Sequence, residues 1–454
     1  METLISIYQQ LIAATQTDFV RYLYKEIDWD LRLIGITGAR GTGKTTLLLQ
    51  HIKLDIRDKS KALFVSLDHV WFTTHTVVDL ARQFHSYGGQ YLFLDEVHRY
   101  PDWAREIKNI YDSYPDLHIV FTGSSILEIY KSNADLSRRA ISYHLHGLSF
   151  REYLAFEKVL NVPPVSLDEI LSRHQDICMD IVGKVKILPC FKDYLKNGYY
   201  PFYKEGLKVY PIRIQNVINT ILDGDLPAVE KIDYSSVMKM KKLLGIVSSL
   251  VPFTPNMTKL SSELGINRTS LSNYFSYLHK AGLLILLHPD ANGMSLLNKP
   301  DKIYLNNSNI LYALGGSSTN EGNVRETFFV NQLMAVHPIS SSLQTDFLVG
   351  KKYSFEIGGN GKGFRQIKRH RFALSVFFRV IYIFARSFAH GSVVKVKYAE
   401  YSVRCNCLVL TYQNIHYITP PFFMWKVLPS HSRKTVFGSQ QVIKTCLPLM
   451  LFKI

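Results

Sequence analysis

The chain has 454 residues, 47% of them apolar, with 53 Lys or Arg against 37 Asp or Glu and a formal net charge of +16. That size and apolar content are enough for about three domains with packed cores and exclude a disordered or fibrous chain. Five cysteines without paired metal-ligand spacing exclude a disulfide framework and a zinc site, and no opening run has the charged start and long apolar stretch of a secretion signal, so the expectation is a cytoplasmic protein with no membrane span.

In chain order, an apolar run at residues 31–36 leads into Gly38-Ala39-Arg40-Gly41-Thr42-Gly43-Lys44-Thr45, and a helical stretch begins at Thr46. This is a G-x-x-x-x-G-K-[ST] phosphate loop between a strand and a helix. Its glycines let successive N–H groups and the helix N-terminus converge on phosphate oxygens with no Cβ in the way. Lys44 supplies a point charge for the β and γ phosphates, and Thr45 a hydroxyl for Mg²⁺. A bare glycine-rich turn is the bland alternative, and the flanking strand and helix argue against it. The expected nucleotide contacts are Gly38, Ala39, Arg40, Gly41, Thr42, Gly43, Lys44, Thr45 and Thr46.

Strand patterns at residues 31–37, 62–67, 91–94 and 117–122 alternate with helical ones, which predicts an α/β fold with a parallel sheet and crossover helices. The third run is Tyr91-Leu92-Phe93-Leu94 followed by Asp95-Glu96. Both acids should emerge at the carboxyl end of a buried strand, where open α/β sheets bind ligands. There Asp95 can hold Mg²⁺ and Glu96 can orient and deprotonate the attacking water. The fourth run ends in Thr122-Gly123-Ser124-Ser125. If it lies between the first and third strands, Thr122 or Ser124 would stand between that water and the γ-phosphate; helix capping is the alternative. Arg138 and Arg139 follow, and either a phosphoryl-neutralising role for Arg139, in cis or across a subunit boundary, or a plain surface pair fits them.

With these residues the chain resembles bacterial AAA-related P-loop ATPases that carry a C-terminal domain of unknown function. The resemblance runs through Arg21-Tyr22, the phosphate loop, Leu94-Asp95-Glu96-Val97-His98, Thr122-Gly123-Ser124-Ser125 and Leu148-Ser149-Phe150-Arg151-Glu152-Tyr153. It continues through Gly198-Tyr199-Tyr200-Pro201, Asp223-Gly224-Asp225-Leu226-Pro227 and Gly322-Asn323-Val324-Arg325-Glu326, and so covers residues 1–368. It implies an ASCE-type sheet with the phosphate-loop lysine at Lys44, the Mg²⁺ acid at Asp95, the catalytic glutamate at Glu96 and a sensor between Thr122 and Ser125. It implies no biological task.

Residues 257–264, the turn Gly265-Ile266-Asn267 and residues 268–281 read as helix, turn and helix, with wing strands expected at 283–287 and 302–305. The second helix should turn Leu271, Tyr274, Phe275 and Leu278 inward and leave Arg268, Thr269, Ser270, Asn273, Ser276 and Lys280 outside. That polar face can meet DNA or a protein partner, although two cations are few beside the roughly six to ten phosphate contacts of a salt-steep DNA binder.

Further on, a helix bearing Glu326 and two short strands bearing Asp346 and Glu356 look like the metal acids of restriction-type nucleases. The position of the expected lysine is Gly358, and Lys362 lies beyond a glycine-rich turn, so a nuclease-like fold without cleavage is predicted.

From residue 369 the texture changes: twelve Lys or Arg stand against the single acid Glu400, so more than half of the net charge lies in this tail. A shifted reading frame is the hypothesis for it, with a basic nucleic-acid or membrane-surface module as the alternative. The expected organisation is an ATPase domain at 1–158, a helical region with the winged helix at 159–290, a nuclease-like domain at 291–368 and the anomalous tail at 369–454. The expected activity is Mg²⁺-dependent ATP binding and hydrolysis. The other reading is a nucleotide-gated DNA- or protein-binding regulator with little or no turnover, and the oligomeric state stays open.

Overall fold

A computed structural model describes residues 1–123, 136, 138–227, 232–250, 252–290, 299–316, 319–343, 345–357 and 373–374. Ser124, Gly358, Lys362 and nearly all of the basic tail therefore lie outside the described residues. The chain divides into two compact units, the first made of residues 1–148, 200–245 and 264–284, the second of 149–199, 246–263 and 285–454.

The first unit is built on a five-stranded sheet of β1 (Leu33–Thr37), β2 (Ala62–Ser66), β3 (Tyr91–Asp95), β4 (His118–Gly123) and β5 (Ile141–His144). Its order is β2-β3-β4-β1-β5, and all its pairings are parallel. Parallel pairs need crossovers, which cover both faces, so the central strands are apolar on both sides: Leu33, Ile34 and Ile36 in β1 and Ile119, Val120 and Phe121 in β4 are all buried. Helix α1 (Glu2–Ala14) precedes the sheet, while α2 (Lys44–Asp55), α3 (Val77–Ser86) and α4 (Trp103–Ser113) connect its strands. The helices turn apolar stripes inward; in α4 the stripe is Trp103, Ala104, Ile107 and Ile110, spaced for one helical face.

Because the strands are parallel, every carboxyl end reaches the same edge. Ile36 lies opposite Thr122, and Leu94 opposite Phe121, so the phosphate loop, Asp95 and Thr122 arrive at one level. The expected position of the fourth strand between the first and third is observed.

Later pieces of this unit include a 3₁₀ turn at Pro201–Glu205, helix α5 (Tyr210–Thr220) running into a π-helical turn at Ile221–Asp225, most of the helix Tyr234–Leu250, and helix α6 (Arg268–Lys280). Asn267 caps α6 by accepting the Ser270 N–H. Leu271, Tyr274, Phe275 and Leu278 are buried, while Arg268, Thr269, Asn273 and Lys280 are exposed.

The second unit is mainly helical. The carboxamide of Asn309, fully buried, donates to the carbonyls of Tyr194 and Leu195 and accepts the Tyr199 N–H, so it satisfies the end of the helix Ile187–Asn197. The rings of Phe150 and Phe328 both pack edge-on against Phe191. The helix Glu321–Met334 sets Phe329 between Phe347 and Phe355 of a four-stranded sheet, whose strands Ile339–Ser341, Phe347–Val349, Tyr353–Phe355 and Ala373–Leu374 are short. Strands Leu284–Leu287 and Lys302–Leu305 form a separate two-stranded sheet.

Candidate functional site

The phosphate loop curls as its glycines allow. Gly41 and Gly43 have φ of +82° and +96°, a region where a Cβ is strained, and a Cβ on Gly41 would also come within 2.6 Å of the Phe202 ring. Gly43 caps α2, so the N–H groups of that helix's first turn point at whatever anion lies beyond it. From below, buried Arg21 braces the loop: its guanidinium donates to the carbonyls of Thr42, His146 and Gly147, tying the loop to the segment after β5. Gly282, just beyond α6, lies on the loop's other side; a Cβ there would be 3.5 Å from that of Ala39.

Lys44 is buried, and its ammonium donates to the carbonyls of Gly38 at 2.9 Å and Ala39 at 3.0 Å. Burial lowers its pKa, while the carboxylates of Glu96 and Asp95 pull the other way. The next residue, Thr45, donates its hydroxyl to Asp95 Oδ2 at 2.6 Å. Thr122 donates to the other oxygen of Asp95 and itself accepts the Glu96 N–H at 3.3 Å. One hydroxyl on β4 therefore fixes both acids at the end of β3. Burial raises the Asp95 pKa, and the two threonine hydrogen bonds oppose that rise. A hydroxyl and a carboxylate in contact beside the phosphate loop suit Mg²⁺, which takes few protein ligands and completes its shell with phosphate and water. Among the described residues no cluster of three or more acids, histidines or cysteines could hold a metal.

Glu96 adopts φ of +52°, an uncommon conformation for a residue with a side chain, and its carboxylate stays partly exposed. Its Oε2 lies 3.5 Å from His98 Nε2 and 3.9 Å from Arg40 Nη1. Burial pushes His98 down to about 4, so its ring is neutral near pH 7. Arg40 also meets Asp225 Oδ2 at 3.3 Å, and Arg99 reaches Asp225 Oδ1 at 2.7 Å as an ion pair without hydrogen-bond alignment. Asp225 and Arg99 were not among the residues expected from sequence, although Asp223-Gly224-Asp225-Leu226-Pro227 carried part of the resemblance. Arg21 likewise carried part of the resemblance, as Arg21-Tyr22, and its burial is visible only in the structure.

Lys44, Thr45, Asp95, Glu96 and Thr122 are thus brought together with the whole loop from Gly38 to Lys44, while Thr46 is exposed on the first turn of α2. Arg139 is not brought there. It precedes β5 and pairs through both Nε and Nη2 with Asp112 at 2.9 and 3.0 Å, near the Tyr111 and Tyr114 carbonyls that Arg32 holds at the start of β1. That is the amino edge of the sheet, a strand's length from the phosphate loop, so of the readings offered for Arg139 this placement fits the surface pair and does not serve the loop of its own chain.

In the second unit Glu326 accepts from the Tyr304 hydroxyl at 2.9 Å. Asp346 accepts from Lys302 at 3.0 Å through one oxygen and from the Ile357 N–H at 2.8 Å through the other.

Residues 30–154 match the family model of an AAA domain, and residues 189–321 match that of a domain of unknown function (DUF8612). An uncharacterised protein of Methanocaldococcus jannaschii is 30% identical over 286 residues, and the match spans 60% of each chain. Among solved structures, the Walker-type ATPase of Pyrococcus abyssi superposes with a TM-score of 0.37 at 13% identity, covering 67% of this chain and 99% of that one. The AMPPCP-bound DnaA from Aquifex aeolicus gives a TM-score of 0.25 at 12% identity, covering 57% and 84%. In the described residues no helix is long and apolar enough to cross a membrane.

Proposed function

We propose, from an AAA-type P-loop domain at residues 30–154 and a domain of unknown function at 189–321, that this protein binds ATP with Mg²⁺ and hydrolyses it to ADP and phosphate. The carrying observation is the contact of Thr45 with Asp95 at 2.6 Å beside the buried ammonium of Lys44. In this reading the loop amides hold the phosphates, and Lys44 exchanges its two loop carbonyls for β and γ oxygens. Thr45 and Asp95 would hold Mg²⁺, which supplies charge neutralisation across the β and γ phosphates. Glu96 orients a water in line with the γ-phosphate and takes its proton, while Thr122 keeps the Asp95 and Glu96 pair in register. Ser124 belongs to the same proposal as a second sensor. Cytoplasmic residence fits such a protein.

Replacing Lys44 by Ala tests this directly. Mg-ATP retention should fall about a hundredfold, because a fully desolvated charge contact is lost; unchanged retention by the variant would overturn the proposal.

The runner-up is a nucleotide-gated regulator with little turnover. It is favoured by Gly282 lying against Ala39, since a change in the phosphate loop would reach α6 and its exposed face of Arg268, Thr269, Asn273 and Lys280. DNA or a protein partner would then be bound through that face. DNA affinity that is equal with ATP, with ADP and without nucleotide would remove this reading.

A further inference from the structure

We propose that Asp225 is a positioning residue for the ATP site: it holds Arg40 at the rim of the phosphate loop, poised for the terminal phosphate. The inference rests on the nucleotide reading above and deepens it.

Asp225 is 3% exposed, and it ends a π-helical turn, a wide turn that is rare and frequent at functional sites. Its neighbour two positions back, Asp223, points the other way and pairs with Lys241 at 2.8 Å, as a spacing of two on a helical turn requires. One buried carboxylate here faces two guanidiniums, Arg40 at 3.3 Å and Arg99 at 2.7 Å. Arg40 thus stands between two anions, Asp225 at 3.3 Å and Glu96 at 3.9 Å, with its side chain 30% exposed beside the phosphate loop. At 3.9 Å from Glu96, Arg40 is too far for a hydrogen bond to that acid, so Asp225 and not Glu96 fixes it. A γ-phosphate would add a third anion for Arg40 to bridge, whereas ADP has no group there. Arg40 would thus read the terminal phosphate, with its reach set by a residue 185 positions away.

The test uses the full chain and the variants Arg40→Gln, Asp225→Asn, Asp225→Glu and the double Arg40→Gln/Asp225→Asn, each titrated with Mg-ATP and Mg-ADP. Arg40→Gln should lower the preference for ATP over ADP about tenfold, the value of one charge-assisted contact. Asp225→Asn should lose most of that preference with ADP affinity unchanged, Asp225→Glu should recover part of it, and the double variant should be no worse than Arg40→Gln alone. Equal losses for ATP and ADP in Asp225→Asn would mean a merely structural role and overturn the proposal, as would losses that multiply in the double variant or a preference left intact. Failure of the unsubstituted protein to retain either nucleotide would instead remove the nucleotide reading itself.

Discussion

Two buried carboxylates in this molecule stand in opposite circumstances. Asp95, in the first unit, is held by the hydroxyls of Thr45 and Thr122. Asp346, in the second, is held by the ammonium of Lys302 and a main-chain N–H. Hydroxyl hydrogen bonds do not cancel the acid's charge, so burial raises the Asp95 pKa against the pull of the threonines and of the Lys44 ammonium, and a divalent cation is what would relieve it. Lys302 already compensates Asp346. The lesson is that the partner of a buried acid separates a candidate metal site from a structural ion pair.

Substitutions at these acids and around them test the contrast. The largest expected effect belongs to Glu96→Gln: phosphate release should fall about a thousandfold while ATP is retained, because the general base is lost and the shape is kept. Release at the original rate would leave the regulator reading standing. Next, Asp95→Asn should cut Mg²⁺-dependent turnover about a hundredfold yet leave the melting temperature of the nucleotide-free protein unchanged or higher, since a charge that burial disfavours is removed.

Arg21→Ala should cost about 3 kcal/mol in denaturant unfolding, the value of charge-assisted bonds to carbonyls left without a donor, together with weaker ATP binding. Asp346→Asn should show the reverse of Asp95→Asn, a loss of about 2 kcal/mol of stability with ATP retention intact. If Asp346→Asn instead impaired nucleotide binding while Asp95→Asn did not, the contrast between the two acids would be wrong.

The smallest effect, invisible near pH 7, concerns His98. Its folded pKa of about 4 lies below the ordinary 6.5, so between those values the unfolded chain binds a proton that the folded one refuses. Stability should therefore fall as pH drops from about 6.5 to about 4 and level off below. A His98→Gln variant should show a shallower decline in its unfolding midpoint over that window, and an identical slope would show that burial does not hold the ring neutral.

Much of the site was legible because it is local. The loop from Gly38 to Thr45 needs particular φ values and N–H groups at consecutive positions, and the acids need a strand end, which Leu92-Phe93-Leu94 announces through its unbroken apolar run. Arg139 shows where reading along the chain stops. Its sequence distance from Glu96 is modest, yet in a parallel sheet the residues that lead directly into β5 lie at the edge far from the phosphate loop. Glu326 and Asp346 were legible as acids, but their partners Tyr304 and Lys302 sit on another strand that no motif connects to them.

By itself the sequence determined the phosphate loop, the acid pair and the alternation of strands and helices, because backbone conformation and side-chain periodicity are properties of neighbouring residues. Only the tertiary structure decided that Arg21 clamps the loop to His146 and Gly147, that Thr122 links Asp95 to Glu96, and that Asp225 meets Arg40. Contacts between distant segments depend on the path of the whole chain, and a buried charge takes its partner from whatever that path brings within reach.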